Sequence, residues 1–227
     1  MNHVFELSQP SVAIEGRPER FPVHRIYCVG RNYAAHAREM GHDPDREPPF
    51  FFMKPADAVV ADGDSVQYPP ATSNLHYEME LVVAIGKTGA GVSKQRAPSL
   101  IWGYGVGIDL TRRDLQQTAK DMGRPWDAGK GFDASAPISS LRPVEQLGHP
   151  QSGRIWLEVN GQIKQDSDIA KLIWSVPEVI EHLSGLFTLM PGDLIYTGTP
   201  AGVGPVVAGD LLKGGVDGVA SITIQIV

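Results

Sequence analysis

Residues 76–81 read His-Tyr-Glu-Met-Glu-Leu (HYEMEL), and the apolar run VVAIG follows at 82–86. Read as a strand, this stretch sets Glu78 and Glu80 two residues apart and therefore on one face. The apolar run makes that face an interior one, where a carboxylate is costly unless something neutralises it. The same pattern also fits an edge strand with both glutamates in water, since antiparallel sheets commonly wet one face. A third acid bears on the choice. Asp109 closes a second strand-like segment, GYGVGIDLTRRD (103–114), whose glycines let two backbones approach closely. Three converging carboxylates repel one another and are driven toward protonation unless a cation sits among them. An all-carboxylate set suits Mg²⁺ or Mn²⁺ better than Zn²⁺, and Ca²⁺ also satisfies it.

The rest of the chain supplies a setting for such a site. It has 227 residues, 42% apolar and 20% charged, which fits one sizeable globular core and excludes the disordered classes. The formal net charge is −6 and no block of Lys or Arg occurs, so a nucleic-acid footprint is not expected. No apolar run is long enough to span a bilayer, and the first residues lack the basic start and apolar stretch of a signal peptide. The one cysteine, Cys28, lies in an apolar run and reads as a buried free thiol. A cytoplasmic protein with no membrane role is the expectation.

Twenty-five glycines and eighteen prolines are scattered through the chain, which favours many turns and short strands. Strands are expected at 25–30, 49–54, 80–86, 101–110, 154–161, 193–198 and 221–227. Asn160-Gly161, between two alternating segments, predicts a tight hairpin. Apolar spacing predicts a helix over 175–187, with Ser175 as its cap and Pro177 in its first turn. Shorter helices are expected at 32–41 and 111–122, and residues 1–20 read as an arm or hairpin before one domain, 21–227. The fold class is α+β, mostly β.

Several further residues invite chemistry. His36 and Glu39 lie three apart in NYAAHAREMG (32–41), so on a helix the carboxylate can orient the imidazole as a general base; taken in isolation, a surface pair of no consequence is the commoner case. Arg113, Gln116 and Lys130 follow Asp109 and are suited to holding a carboxylate or an oxyanion, whereas Arg112, Lys120 and Arg124 read as helix-surface charge. YTGTPAGVG (196–204) is a Gly-rich loop able to offer N–H groups and the Thr199 hydroxyl to an anion, without the Gly-Lys-Ser/Thr ending of a phosphate loop.

In sequence and in order, GRNYAAHAREMG, FFFMKP, HYEMEL, GIDLTRRDLQ, GKGFD and YTGTPAGVG resemble the fumarylacetoacetate hydrolase family, from about residue 24 to the end. The resemblance implies a mixed β-sandwich roll, a homodimer, and Glu78, Glu80 and Asp109 as ligands of Mg²⁺ or a similar ion. It makes His36 and Glu39 the water-activating pair. Arg113 and Gln116 match the family's Asp-x-x-x-Arg-x-x-Gln spacing, Lys130 the lysine near the reacting carbonyl, and Thr199 the hydroxyl near the substrate carboxylate. The implied activity is hydrolysis of a carbon–carbon bond in a 2,4-dioxo acid. GHDPDREPPFFFMKP (41–55) looks like the short fumarylpyruvate hydrolases of gentisate-type aromatic degradation. That substrate carries a second carboxylate, so a cation is expected at the far end of the pocket, from Arg31 or residues 42–46. Family members that decarboxylate oxaloacetate or isomerise dioxo acids provide the alternative. A non-catalytic keto-acid binder is a third reading.

Overall fold

The computed structural model describes residues 4–33 and 47–227. At its centre is the strand Met79–Ile85, every residue of which is buried, as the unbroken apolar run requires of a strand covered on both faces. It belongs to an eight-stranded sheet. From one edge the order is Phe50–Lys54, Arg25–Gly30, Asp193–Tyr196, Met79–Ile85, Ile101–Ile108, Ala136–Ile138 and Val59–Ala61, with Arg142–Pro143 also paired to Ile101–Ile108. A five-stranded sheet runs Gln162–Asp168, Arg154–Val159, Leu211–Val216, Ala220–Ile226, Ser65–Val66. The architecture is α+β and mostly β.

Alternate residues of the central strand serve two cores. Met79, Leu81, Val83 and Ile85 pack with Ile155, Leu157, Leu212, Ile222 and Ile224 of the five-stranded sheet. Val82 and Ala84 face the other way, onto Ile26, Cys28, Leu194 and Tyr196. That second core is closed by Val12, Ile14 and Phe21 of an antiparallel N-terminal hairpin, Ser11–Ile14 with Arg17–Pro22. Cys28 is fully buried and free. Gly107, opposite Glu80, carries no side chain for a steric reason: a Cβ there would lie 2.5 Å from the Tyr196 ring.

The strand through HYEMEL is not continuous. Leu75–Tyr77 pairs with Gly204–Val206 and Thr111–Arg112 in a separate three-stranded sheet, and the large sheet begins at Met79. Glu78 is the joint between them. The periodicity of the stretch is that of one strand, so sequence alone does not reveal the change of sheet. The other expected strands form with ends shifted by a few residues, and Asn160 and Gly161 take φ of 51° and 77° in the hairpin turn. The helix Val176–Leu186 is started by Ser175, whose N–H and hydroxyl both donate to Glu178, at 2.9 and 2.6 Å. The helix expected at 111–122 spans Arg113–Asp121, because Thr111 and Arg112 are drawn into pairing with His76 and Leu75. The helix expected at 32–41 lies almost wholly outside the described residues.

Candidate active site

The joint at Glu78 is what brings the acids together. Met79 pairs with Ile108, and one step further the Asp109 N–H donates to the Glu78 carbonyl at 2.8 Å. The ladder thus ends with two carboxylates side by side, while Glu80 stands two pairs further in. Ligand oxygens of Glu78, Glu80 and Asp109 lie within 4.8 Å of one another, and all three residues are buried. The convergence expected from sequence is therefore present, and the solvent-facing edge strand is not.

Cations already stand among these acids: Lys130 and Arg113, expected to face a substrate, pair with the carboxylates themselves, and Lys54 joins them. Lys130 Nζ donates to Asp109 Oδ2 at 2.7 Å, Glu78 Oε2 at 3.0 Å and the Thr111 hydroxyl at 2.7 Å. Burial opposes its charge, but Asp109 and Glu78 outweigh that and hold the ammonium above its ordinary pKa. Lys54, from FFFMKP, is equally buried: its Nζ donates to the carbonyls of Leu110 (3.0 Å) and Lys130, and forms an ion pair with Asp109 Oδ1 at 2.8 Å. Arg113 Nη2 reaches Glu78 Oε1 at 2.6 Å.

Glu80 is left over. Among the described residues it makes no ion pair and accepts one hydrogen bond, from the Gly198 N–H at 2.7 Å. Burial, Asp109 and Glu78 together push its carboxyl well above the usual carboxylate range. Asp109 Oδ1 has the Lys54 ion pair but, among the described residues, no well-aligned hydrogen bond. A buried glutamate with no ion pair, its oxygens grouped with those of two more buried carboxylates, is a donor set that fits a hard divalent ion, and Glu78, Glu80 and Asp109 are the residues able to hold it.

The cluster opens into a cavity lined by Arg31, Phe50, Phe52, Gln116, Lys120 and Trp126, with Thr199 at its edge. Four expected substrate residues are thus gathered, but their commitments differ. Arg113 is tied to Glu78 and donates to Gln116 Oε1 at 2.7 Å. That bond turns the Gln116 amide so that its Nε2, which has no partner among the described residues, remains available as a donor. Thr199 donates to the Met79 carbonyl at 2.9 Å and accepts from Gln165 at 2.8 Å, so it contacts a ligand as donor only by exchanging a bond. Arg31 holds φ at 58°, a strained backbone for a non-glycine, with its guanidinium 5.4 Å from the Phe50 ring centre. His36 and Glu39 lie outside the described residues.

Three residues escaped the sequence reading. Lys54 lay within a quoted motif and was given no role. Gln165 has no local signal at all. Lys120 is not surface charge: it is half-buried in the cavity wall, and its spacing from Arg113 and Gln116, seven and four residues, puts all three on one helix face. That spacing is the signal that was available. Arg124 is exposed, as expected, while Arg112 stacks over the Phe132 ring at 4.4 Å.

Residues 25–227 match the family model described as fumarylacetoacetate (FAA) hydrolase C-terminal. The chain belongs to the fumarylacetoacetate hydrolase family. It is similar to the fumarylpyruvate hydrolase of a Ralstonia species, 52% identical over 82% of this chain and 98% of that one. The crystal structure of Pseudomonas aeruginosa fumarylpyruvate hydrolase with Mn²⁺ and pyruvate superposes with a TM-score of 0.97 at 55% identity, covering 100% of this chain and 99% of that one. The mitochondrial oxaloacetate tautomerase FAHD1 of Bos taurus is 42% identical over 88% of this chain and 90% of its own.

Proposed function

We propose that this chain is a metal-dependent hydrolase that cleaves the carbon–carbon bond of a 2,4-dioxo acid, with fumarylpyruvate as substrate and fumarate and pyruvate as products. The observation that carries the reading is the buried triad of Glu78, Glu80 and Asp109, with Glu80 in no ion pair among the described residues, at the head of a cavity that also presents Gln116 and Lys130. The 52–55% identity to fumarylpyruvate hydrolases supports the choice of substrate. Glu78, Glu80 and Asp109 would hold Mg²⁺, with Mn²⁺, found in the Pseudomonas relative, or Ca²⁺ as alternatives. Bound there, such an ion supplies polarisation of the 2-keto acid and compensation for enolate charge.

The chain's own residues divide the remaining work. His36, its imidazolium supported by Glu39, takes a proton from water as the oxygen adds to the C4 carbonyl. The Gln116 amide donates to the developing oxyanion. Lys130 has all three N–H bonds engaged, so it contributes charge rather than a free donor unless it exchanges an acceptor. Collapse breaks the C3–C4 bond, leaving the carboxylic acid of the acyl part and the enolate of pyruvate, and the proton held by His36 returns to C3. Arg113 fixes Glu78 and the Gln116 amide, Arg31 faces the acyl end, and Thr199 borders the pocket. We take the working form to be a cytoplasmic homodimer with one catalytic domain.

The test is loss of ultraviolet absorbance of fumarylpyruvate with Mg²⁺ and with EDTA, with pyruvate release from oxaloacetate run in parallel. Ion-dependent loss abolished in His36→Ala supports the reading. The 42% identity to an oxaloacetate tautomerase favours one rival, chemistry on oxaloacetate at the same acids. Turnover of oxaloacetate alone, surviving His36→Ala, would select that rival.

A further inference from the structure

One wall of the cavity is aromatic: Trp126 meets Phe50 edge-on at 5.2 Å and Phe52 at 5.8 Å between ring centres, and Phe52 in turn lies 5.0 Å from Lys130 Nζ. Two cations lie on this wall. Lys120 Nζ is 5.2 Å from the Trp126 ring centre, and the Arg31 guanidinium is over Phe50. Neither has an acidic partner among the described residues, whereas Arg113, Lys130 and Lys54 are each paired. Lys120 is half-buried without a counter-ion among the described residues.

That arrangement is unfavourable in the free protein. Burial, then Arg113 and Arg31, depress the Lys120 pKa to about 8; Lys130 adds to this and Glu78 opposes it. Cation–π contact with Trp126 offsets only part of this cost. An anion placed between Lys120 and Arg31 would relieve the repulsion, and a flat conjugated chain would fit the rings beside it.

We propose that Lys120, together with Arg31, forms a subsite for the second carboxylate of a dicarboxylic dioxo acid, making Lys120 a specificity-determining residue. The proposal rests on the hydrolase reading above for its substrate class. It explains a choice of charges that the carboxylate cluster alone does not need.

The experiment compares Lys120→Gln and Lys120→Arg with the native protein on two substrates, fumarylpyruvate, with a second carboxylate, and acetylpyruvate, without one. In Lys120→Gln the ratio of kcat/KM for fumarylpyruvate to that for acetylpyruvate falls at least 30-fold, mainly through KM, and Lys120→Arg restores most of it. Calorimetry reads the subsite without turnover: the Kd for fumarate rises at least tenfold in Lys120→Gln while that for pyruvate stays within twofold. In the native protein, kcat/KM for fumarylpyruvate falls as pH rises through about 8, where Lys120 loses its proton in the field of Arg31, Arg113, Lys130 and Glu78; acetylpyruvate shows no such limb. A ratio within threefold of native with unchanged fumarate binding overturns the proposal. Native protein that cleaves neither substrate overturns the hydrolase reading instead, and fumarate binding then decides the subsite by itself.

Discussion

Two buried acid sites in this molecule obey the same electrostatics with opposite results. Asp193, fully buried at the start of its strand, has both oxygens saturated: Oδ1 by His24 at 2.8 Å and Arg25 Nε at 3.0 Å, Oδ2 by Arg25 Nη2 and the Met190 N–H, each at 2.8 Å. One carboxylate with an arginine fork and a backbone donor is a finished structural site. At the other site three carboxylates share Lys54, Lys130 and Arg113, and the cations do not reach all of them. Glu80 keeps one hydrogen bond and, among the described residues, no ion pair. Saturation marks a role in folding, and a carboxylate left wanting a cation marks a place for a ligand.

The sharpest way to break this comparison is Glu80→Gln, which keeps the Gly198 hydrogen bond and removes the unrelieved charge. Activity should fall about 10³-fold, roughly 4 kcal/mol of barrier. The metal-free protein should unfold at the same or a higher denaturant midpoint, since no ion pair is lost. Saturating Mg²⁺, at 100 times its Kd, should stabilise the native protein by about 2.7 kcal/mol and leave Glu80→Gln unmoved. Destabilisation of Glu80→Gln by several kcal/mol would mean that Glu80 is as structural as Asp193.

The converse substitution is Asp193→Asn. It strands Arg25 and removes charge from a four-contact carboxylate, so denaturant unfolding should show a loss of about 3 kcal/mol. Asp193 lies outside the cavity, and kcat/KM of the folded fraction should stay within a factor of two. A large fall in kcat/KM without loss of stability would erase the distinction between the two sites.

How legible all this was in the sequence depends on the range of the interaction. The central strand, the Asn160-Gly161 hairpin and the Ser175-capped helix are written in local periodicity and turn chemistry, and the structure forms them. Glu78, Glu80 and Asp109 were found because polar residues inside apolar runs violate a local rule. The sheet change at Glu78 leaves no such mark, because a strand that ends and one that begins two residues later keep the same alternation. Lys54 follows four consecutive bulky residues, Phe50 to Met53, and was read with them as strand. Lys120 was legible in principle, since its helix face was fixed by Arg113 and Gln116. What sequence lacked was the Trp126 ring beside it and Arg31 lining the same cavity, a setting no local pattern encodes.

Gln165 is the extreme of that class, and it refines the comparison from the neutral side. It sits in the strand Gln162–Asp168 of the five-stranded sheet, fully buried, and reaches across to the joint between the other two sheets. Its Oε1 accepts from the Met79 N–H at 2.9 Å, and its Nε2 donates to the Thr199 hydroxyl at 2.8 Å and the Pro200 carbonyl at 2.9 Å. Met79 lies between the two glutamates, and Thr199 follows Gly198, the donor to Glu80. Gln165 therefore ties the backbone on both sides of the carboxylate cluster without carrying charge. Gln165→Leu leaves the Met79 N–H buried and unpaired, which should cost about 2 kcal/mol in denaturant unfolding. Because the same bonds set the spacing of Glu78, Glu80 and Gly198, Mg²⁺ affinity should weaken as well, about tenfold by calorimetry. Loss of stability with unchanged Mg²⁺ affinity would put Gln165 beside Asp193 as scaffold; loss of both would show that a saturated neutral network can belong to the ligand site.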